Sequence, residues 1–325
     1  MKNTFKNKKI LITGVVGSIG SEIVRNILKY NPKVVRIFDN NESGIFTLQQ
    51  EFIDKNNIRF LIGDVRDKER LKRAIEDIDI VFHAAAMKHV PLCEYNPFES
   101  VKTNVLGTQN LIEASIDEEV EKVITISTDK VVSPTGTMGA TKLLAEKLTI
   151  DANYYKGKRK TILSSVRFGN VMGSQGSVIP LFKEQIKKGG PVTITEPSMI
   201  RFMMSMNQAV DMILNAARIM QGGEIFIFKM PVMKLEDLTE IMIKELAPRY
   251  CHKVSKINIK HIGIRRGEKM FEDLMTENEA RHALETTDMF IVLPETEIPH
   301  HKEKMRFYKG TKKIKSKDYI SKNNR

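Results

Sequence analysis

Apolar residues in the first half of this chain fall into short continuous runs. Each run is followed by a stretch in which they recur every three or four positions. Ile10, Leu11 and Ile12 form the first run, and Ile19, Ile23, Val24, Ile27 and Leu28 follow at helical spacing. Runs over 34–38, 60–62, 80–82, 123–126 and 161–166 predict further strands, buried as in a parallel sheet. Stretches 68–75 and 104–115, and the one opening at 138, suit helices. The alternation predicts an α/β fold built on a doubly wound parallel sheet. From about residue 170 the elements shorten. Helices are expected over 178–188, 207–220 and 235–246, and strands over 191–195, 224–228 and, last, 257–264. This divides the chain into a nucleotide-binding domain (1–170), a smaller substrate-binding α/β domain (171–300) and a basic tail (301–325).

Ligands of such sheets bind beyond the carboxyl ends of the strands, and the candidate residues lie there or just after. Gly14, Gly17 and Gly20 occupy the first strand-to-helix turn, where glycine permits a tight turn and close approach to a pyrophosphate. Ser18 and Ile19 share that turn. The second run ends at Asp39, about 20 residues further on, where a carboxylate binds the ribose hydroxyls of NAD. This is a Rossmann-type pattern. No arginine directly follows Asp39, only Asn40 and Asn41, which favours NAD over NADP. Asp64 and Val65 follow the third strand, with Asp64 able to meet the adenine. Ala84, Ala85 and Ala86 follow the fourth, small enough for backbone to lie against phosphate and ribose. Asn104 opens the next helix.

Composition narrows the rest. Cys93 and Cys251, the two cysteines, cannot by themselves build a disulfide framework or a zinc site, and they fit a reducing cytoplasm. No metal is expected. No apolar run approaches the roughly 20 residues of a membrane span, and the basic N-terminus lacks a cleavable signal pattern. The net charge of +12 suggests nucleic acid until it is located: residues 301–325 carry ten Lys or Arg against two acids. The excess is a tail, so no nucleic-acid partner is expected. The methionines at 199, 203, 204 and 206 read as flexible core filler.

Met138 and Lys142, four apart, share a helix face. Here the chain resembles the extended short-chain dehydrogenases/reductases, which carry tyrosine and lysine at that spacing. Met138 stands at the tyrosine position and has no proton to give or take. Ser127-Thr128-Asp129-Lys130, Met138-Gly-Ala-Thr-Lys142, Ala86-Met-Lys-His-Val-Pro91, Arg167-Phe-Gly-Asn-Val171 and Ile264-Arg-Arg-Gly-Glu-Lys269 resemble a narrower group. These motifs are similar to those of the UDP-N-acetylglucosamine 4,6-dehydratases, one branch of which carries methionine for tyrosine. Arg266 departs from the proline usual there.

That resemblance implies a lyase that removes hydride from the sugar's C4 to NAD, eliminates water across C5–C6 and returns hydride to C6. It implies Asp129 as the acid at C6, Lys130 as the base at C5, Thr128 near the C4 oxygen and Lys142 on the nicotinamide ribose. Lys130 can be a base only if burial or a nearby cation removes its proton near neutral pH. Asp129 is also the expected acceptor of the C4 hydroxyl proton. For the UDP moiety the candidates are Arg201 and Arg265 on the diphosphate and Glu268 on the uridine ribose, with Lys88, His89 and Asn170 nearby. The surroundings of Met199–Phe202 and of 229–231 favour the branch retaining C5 configuration. Alternatives are an inverting dehydratase, a 4-epimerase, or an NAD-sensing protein without catalysis. A homo-oligomer is implied, through the helices around Met138 and Asn104.

Overall fold

The computed structural model describes residues 4–295, 308 and 310–314. Six parallel strands dominate the first half: β1 (Lys9–Thr13), β2 (Val34–Asp39), β3 (Ile58–Ile62), β4 (Ile80–His83), β5 (Lys122–Ile126) and β6 (Ile162–Arg167). They lie in the order β3-β2-β1-β4-β5-β6, with the doubly wound reversal between β1 and β4. Successive side chains of a strand point to opposite faces, and β1 shows the consequence. Ile10 and Ile12 enter one core with Ile23 and Val24 of α1 (Ser18–Ile27), while Leu11 enters another with Leu71 and Leu111.

The sheet does not stop at residue 170. Ile225–Phe228, an all-apolar and fully buried strand, pairs parallel to β6, and Met289–Val292 and Ala283–Glu285 add antiparallel strands beyond it. Lys312–Lys313 pairs with Ala283–Glu285 at the edge. The expected division at 170 therefore marks a change in element length rather than a break in the sheet. The expected last strand at 257–264 is shorter and is not last: among the described residues Ile259–His261 pairs only with Val192–Ile194. Helices Val178–Lys187 and Leu235–Leu246 enclose a separate core with Phe182, Ile194, Met203 and Met242. Met199, Met203 and Met204 are buried filler, as expected.

Two helical stretches differ from expectation. Glu42–Glu51 is a helix, because Asn41 caps it by accepting from the Gly44 N–H rather than merely turning the chain. The helix expected from 104 begins earlier, as a π-helical turn over Val101–Leu106 that runs into Gly107–Asp117. Most of the basic tail lies outside the described residues. No helix among the described residues is long and apolar enough to cross a membrane.

Candidate active site

A cleft of about 830 Å³ runs along the carboxyl ends of β1, β2, β4, β5 and β6. At its nucleotide end Gly14 has φ +70°, and a Cβ there would stand 2.5 Å from the Ala85 nitrogen. A Cβ on Gly20 would meet the Gly14 carbonyl oxygen at 2.3 Å, so glycine is required for α1 to sit against the turn. Gly17, Ser18 and Ile19 complete the lining, and the N-terminus of α1 has no side-chain cap to occupy its N–H groups. Asp39 lines the cleft at the end of β2. Its two oxygens accept the Val16 and Asn41 backbone N–H groups, each at 3.0 Å, which fixes the carboxylate in place.

Asp64 also lines this end, but its carboxylate is already engaged by the Arg66 guanidinium (2.6 Å) and by Asn40 (3.2 Å). The Arg66 hydrogen bond holds its pKa below the usual carboxylate range. Val65 and Ala84, Ala85 and Ala86 form the floor. Asn104 does not reach the cleft. It is buried, accepts from the Met87 N–H at 2.8 Å, and donates to the Met87 carbonyl and to Thr141. It shapes the segment that lines the cleft instead of lining it. His83 is buried between the Thr13 and Thr108 hydroxyls, and burial lowers its pKa to about 3, so it is neutral.

Beyond β5 the chain turns at Thr128-Asp129-Lys130, held by the Asp129 N–H on the Phe168 carbonyl. Thr128 donates its hydroxyl to Asp129 Oδ1 at 2.9 Å, and Lys130 Nζ reaches the same oxygen at 2.9 Å. Asp129 Oδ2 is buried and has no hydrogen-bond partner. Lys130 Nζ also contacts Asn170 Oδ1 at 3.3 Å and lies 3.8 Å from Glu272 Oε1. Burial lowers the Lys130 pKa, but the Asp129 and Glu272 carboxylates outweigh it and the net shift is upward. The condition set for Lys130 as a ready base is thus not met in this arrangement, because two carboxylates hold its proton.

Met138 and Lys142 lie on helix Thr137–Tyr155 and both face the cleft. Lys142 is buried, donates to the Ile126 carbonyl, and has its pKa lowered by burial to about 8. Lys88, His89 and Asn170 line the opposite wall. Burial lowers the pKa of both Lys88 and His89. The loop at 172–177 crosses above them: the Gln175 N–H donates to Ser18 Oγ (2.8 Å) and its carbonyl accepts from Lys88 Nζ (2.7 Å). One loop thereby joins the glycine turn to the far wall.

This geometry has relatives. The family model described as polysaccharide biosynthesis protein matches residues 10–294. The chain belongs to that family. An X-ray structure titled "Pen from Bacillus thuringiensis" is 53% identical, with 90% of each chain covered and a TM-score of 0.88. "Uncharacterized membrane protein MJ1061" of Methanocaldococcus jannaschii is 62% identical over 90% of this chain and 88% of its own. The "UDP-N-acetylglucosamine 4,6-dehydratase (inverting)" of Campylobacter jejuni is 42% identical over 90% of this chain and 85% of its own. The "UDP-glucose 4-epimerase" of Rickettsia rickettsii matches at 40% over 98% and 92%. The family therefore spans nucleotide-sugar dehydratases and epimerases, and the fold is that of the extended short-chain dehydrogenases/reductases.

Three of this family member's expected substrate residues stand apart from the cleft lining. The Arg201 guanidinium is turned onto the Lys269 and Met270 carbonyls (2.7 and 3.2 Å), which pins the 265–272 loop. Arg265 is exposed on that loop, and its N–H donates to the Glu268 carboxylate at 3.1 Å. Sequence reasoning missed Glu272, which is 2% exposed and reaches Lys130 from 142 positions away. The Ile264–Lys269 motif ends three residues before it, and nothing in the sequence places that loop over β5.

Proposed function

We propose that this protein is an NAD-dependent UDP-N-acetylglucosamine 4,6-dehydratase. The observation that carries the reading is the Thr128-Asp129-Lys130 turn: Lys130 lines the cleft beside a Met138 that has no proton to give, and the fully buried Asp129 carboxylate stands 2.9 Å from the Lys130 Nζ. The cradle fits NAD: glycine is required at Gly14 and Gly20, and Asp39, fixed at the end of β2, would meet its ribose. Gly17, Ser18, Asp39 and Lys142 would hold it. When bound, NAD supplies a hydride acceptor at the sugar's C4 and a donor for C6.

The chain's own residues then handle the protons. Asp129 Oδ2, buried and without a partner, takes the proton of the C4 hydroxyl. Asp129 then gives that proton to the departing C6 hydroxyl, and Lys130, as free amine, removes the C5 proton. Lys130 returns a proton to C5 from the side on which it took one, so the proposed outcome is retention. The Campylobacter jejuni relative is named as inverting, and the product's C5 configuration decides between the two. Arg265 and Glu268, on the 265–272 loop, would meet the UDP.

Incubation with UDP-N-acetylglucosamine in heavy water, followed by proton NMR, tests the reading. The expected product shows a new C6 methyl signal and a 4-ketone, and Asp129→Asn is expected to lower its rate by about 10²-fold or more. A galacto-configured product would establish the epimerase instead, and full activity in Asp129→Asn would remove the acid assignment.

A further inference from the structure

Lys130 is asked to be a base while two carboxylates hold its proton, and the structure offers an outlet. Glu272 is 2% exposed, and its Oε1 lies 3.8 Å from Lys130 Nζ. That distance is too long for a direct hydrogen bond. Beside it is a void of about 10 Å³ bounded by Lys130, Thr135, Met138, Lys269 and Glu272. Its volume suits one water molecule, with Lys130, Thr135 and Glu272 among its walls as polar partners. A carboxylate, an ammonium and a space for one water thus lie together behind the cleft.

We propose that Glu272 accepts the proton Lys130 must lose before it can act at C5, working through Lys130 rather than on the sugar. This rests on the dehydratase reading above and deepens it. The transfer balances: an N–H bond of the ammonium breaks, an O–H bond forms on Glu272, and the electron pair stays on Nζ. No oxidant or reductant takes part. Once Asp129 has taken the C4 hydroxyl proton, one of the two negative charges holding the ammonium is gone, which favours the transfer. Lys130 ends the cycle as free amine, and the proton on Glu272 then returns to it.

The charged groups facing Glu272 come from three places: Asp129 and Lys130 on the turn after β5, Arg201 on strand Ile200–Met204, and Lys269 on its own loop. The cations favour its ionised form; burial, the largest effect, and Asp129 oppose it, and the net pKa shift is upward. A carboxylate so placed is a stronger proton acceptor than an exposed one.

The test measures Lys130 directly, with no sugar present. The rate of Lys130 acetylation by acetic anhydride, read by mass spectrometry as a function of pH, gives its titration. Glu272→Gln removes the charge and is expected to lower the Lys130 pKa by about one unit, with Glu272→Asp giving a smaller fall. The same Glu272→Gln protein should lose about 10²-fold in kcat on UDP-N-acetylglucosamine. If Glu272→Gln does not fold, Glu272→Asp carries the test. Wild-type-like Lys130 titration in a folded variant overturns the proposal. Absence of turnover in the wild type would overturn the dehydratase reading while leaving the Lys130 measurement intact.

Discussion

Lys142 is buried with its Nζ on the Ile126 carbonyl, and burial brings its pKa from 10.5 to about 8. Below pH 8 the folded protein must therefore keep a charge that burial disfavours, at a cost of about 3 kcal/mol relative to the free amine. The folded pKa is the depressed one, so this part of stability is fully present above pH 10.5 and is lost as pH falls towards 8. Replacement by methionine removes the dependence. Lys142→Met is expected to be more stable relative to wild type at pH 7 than at pH 10, measured by urea denaturation at both. A gap that does not narrow as pH rises would show that Lys142 is not depressed. The placement of Lys142, Thr128 and Met138 at the cleft was readable from the sequence, because spacing on a helix or after a strand is local. The protonation of Lys130 was not, since it depends on Glu272, which is distant in sequence.

Arg167, at the end of β6, ties three elements together. It is 1% exposed and its guanidinium meets Glu146 of helix Thr137–Tyr155, Glu279 of helix Glu277–Arg281 (2.7 Å) and the Leu274 carbonyl (3.0 Å). The helix bearing Met138 and Lys142 and the segment following Glu272 are joined through this one side chain. Burial opposes the charge, but the two carboxylates prevail and hold the guanidinium protonated. Truncation would strand Glu146 and the partly buried Glu279. Arg167→Ala is expected to cost about 3–5 kcal/mol, read from the urea midpoint. A loss below about 1 kcal/mol would mean that the triad contributes no more than an exposed ion pair. The motif containing Arg167 was legible in the chain, but its carboxylate partners were not, because they stand 21 positions before it and 112 after it.

At the scale of the molecule, one group of exposed apolar side chains lies on and around helix Thr137–Tyr155. Leu144 on helix Thr137–Tyr155 is well exposed, as are Tyr95, Phe98 and Leu106 on elements that pack against that helix. A surface of this kind suits association of like chains, and we propose a homo-oligomer through the helices around Met138 and Asn104. Sedimentation velocity should show the wild type as an oligomer, and Phe98→Glu with Leu144→Glu should shift it towards monomer. An unchanged distribution in the double variant would place the interface elsewhere. The net charge of +12 does not argue for a nucleic-acid partner, because ten of the chain's basic residues lie in positions 301–325.

The sequence by itself determined the parallel sheet, the glycine turn, the acid ending β2 and the Thr128-Asp129-Lys130 turn. Each rests on local periodicity or on spacing within about 20 residues, which the backbone converts directly into geometry. Only the tertiary structure decided that the sheet continues through Ile225–Phe228 and Met289–Val292. It also decided that Asn104 braces the Met87 backbone, and that Arg201 binds carbonyls of the 265–272 loop. It alone brought Glu272 to Lys130. Strand neighbours, carbonyl partners and a buried charge's surroundings are set by packing between segments far apart in the chain, and no local spacing records them.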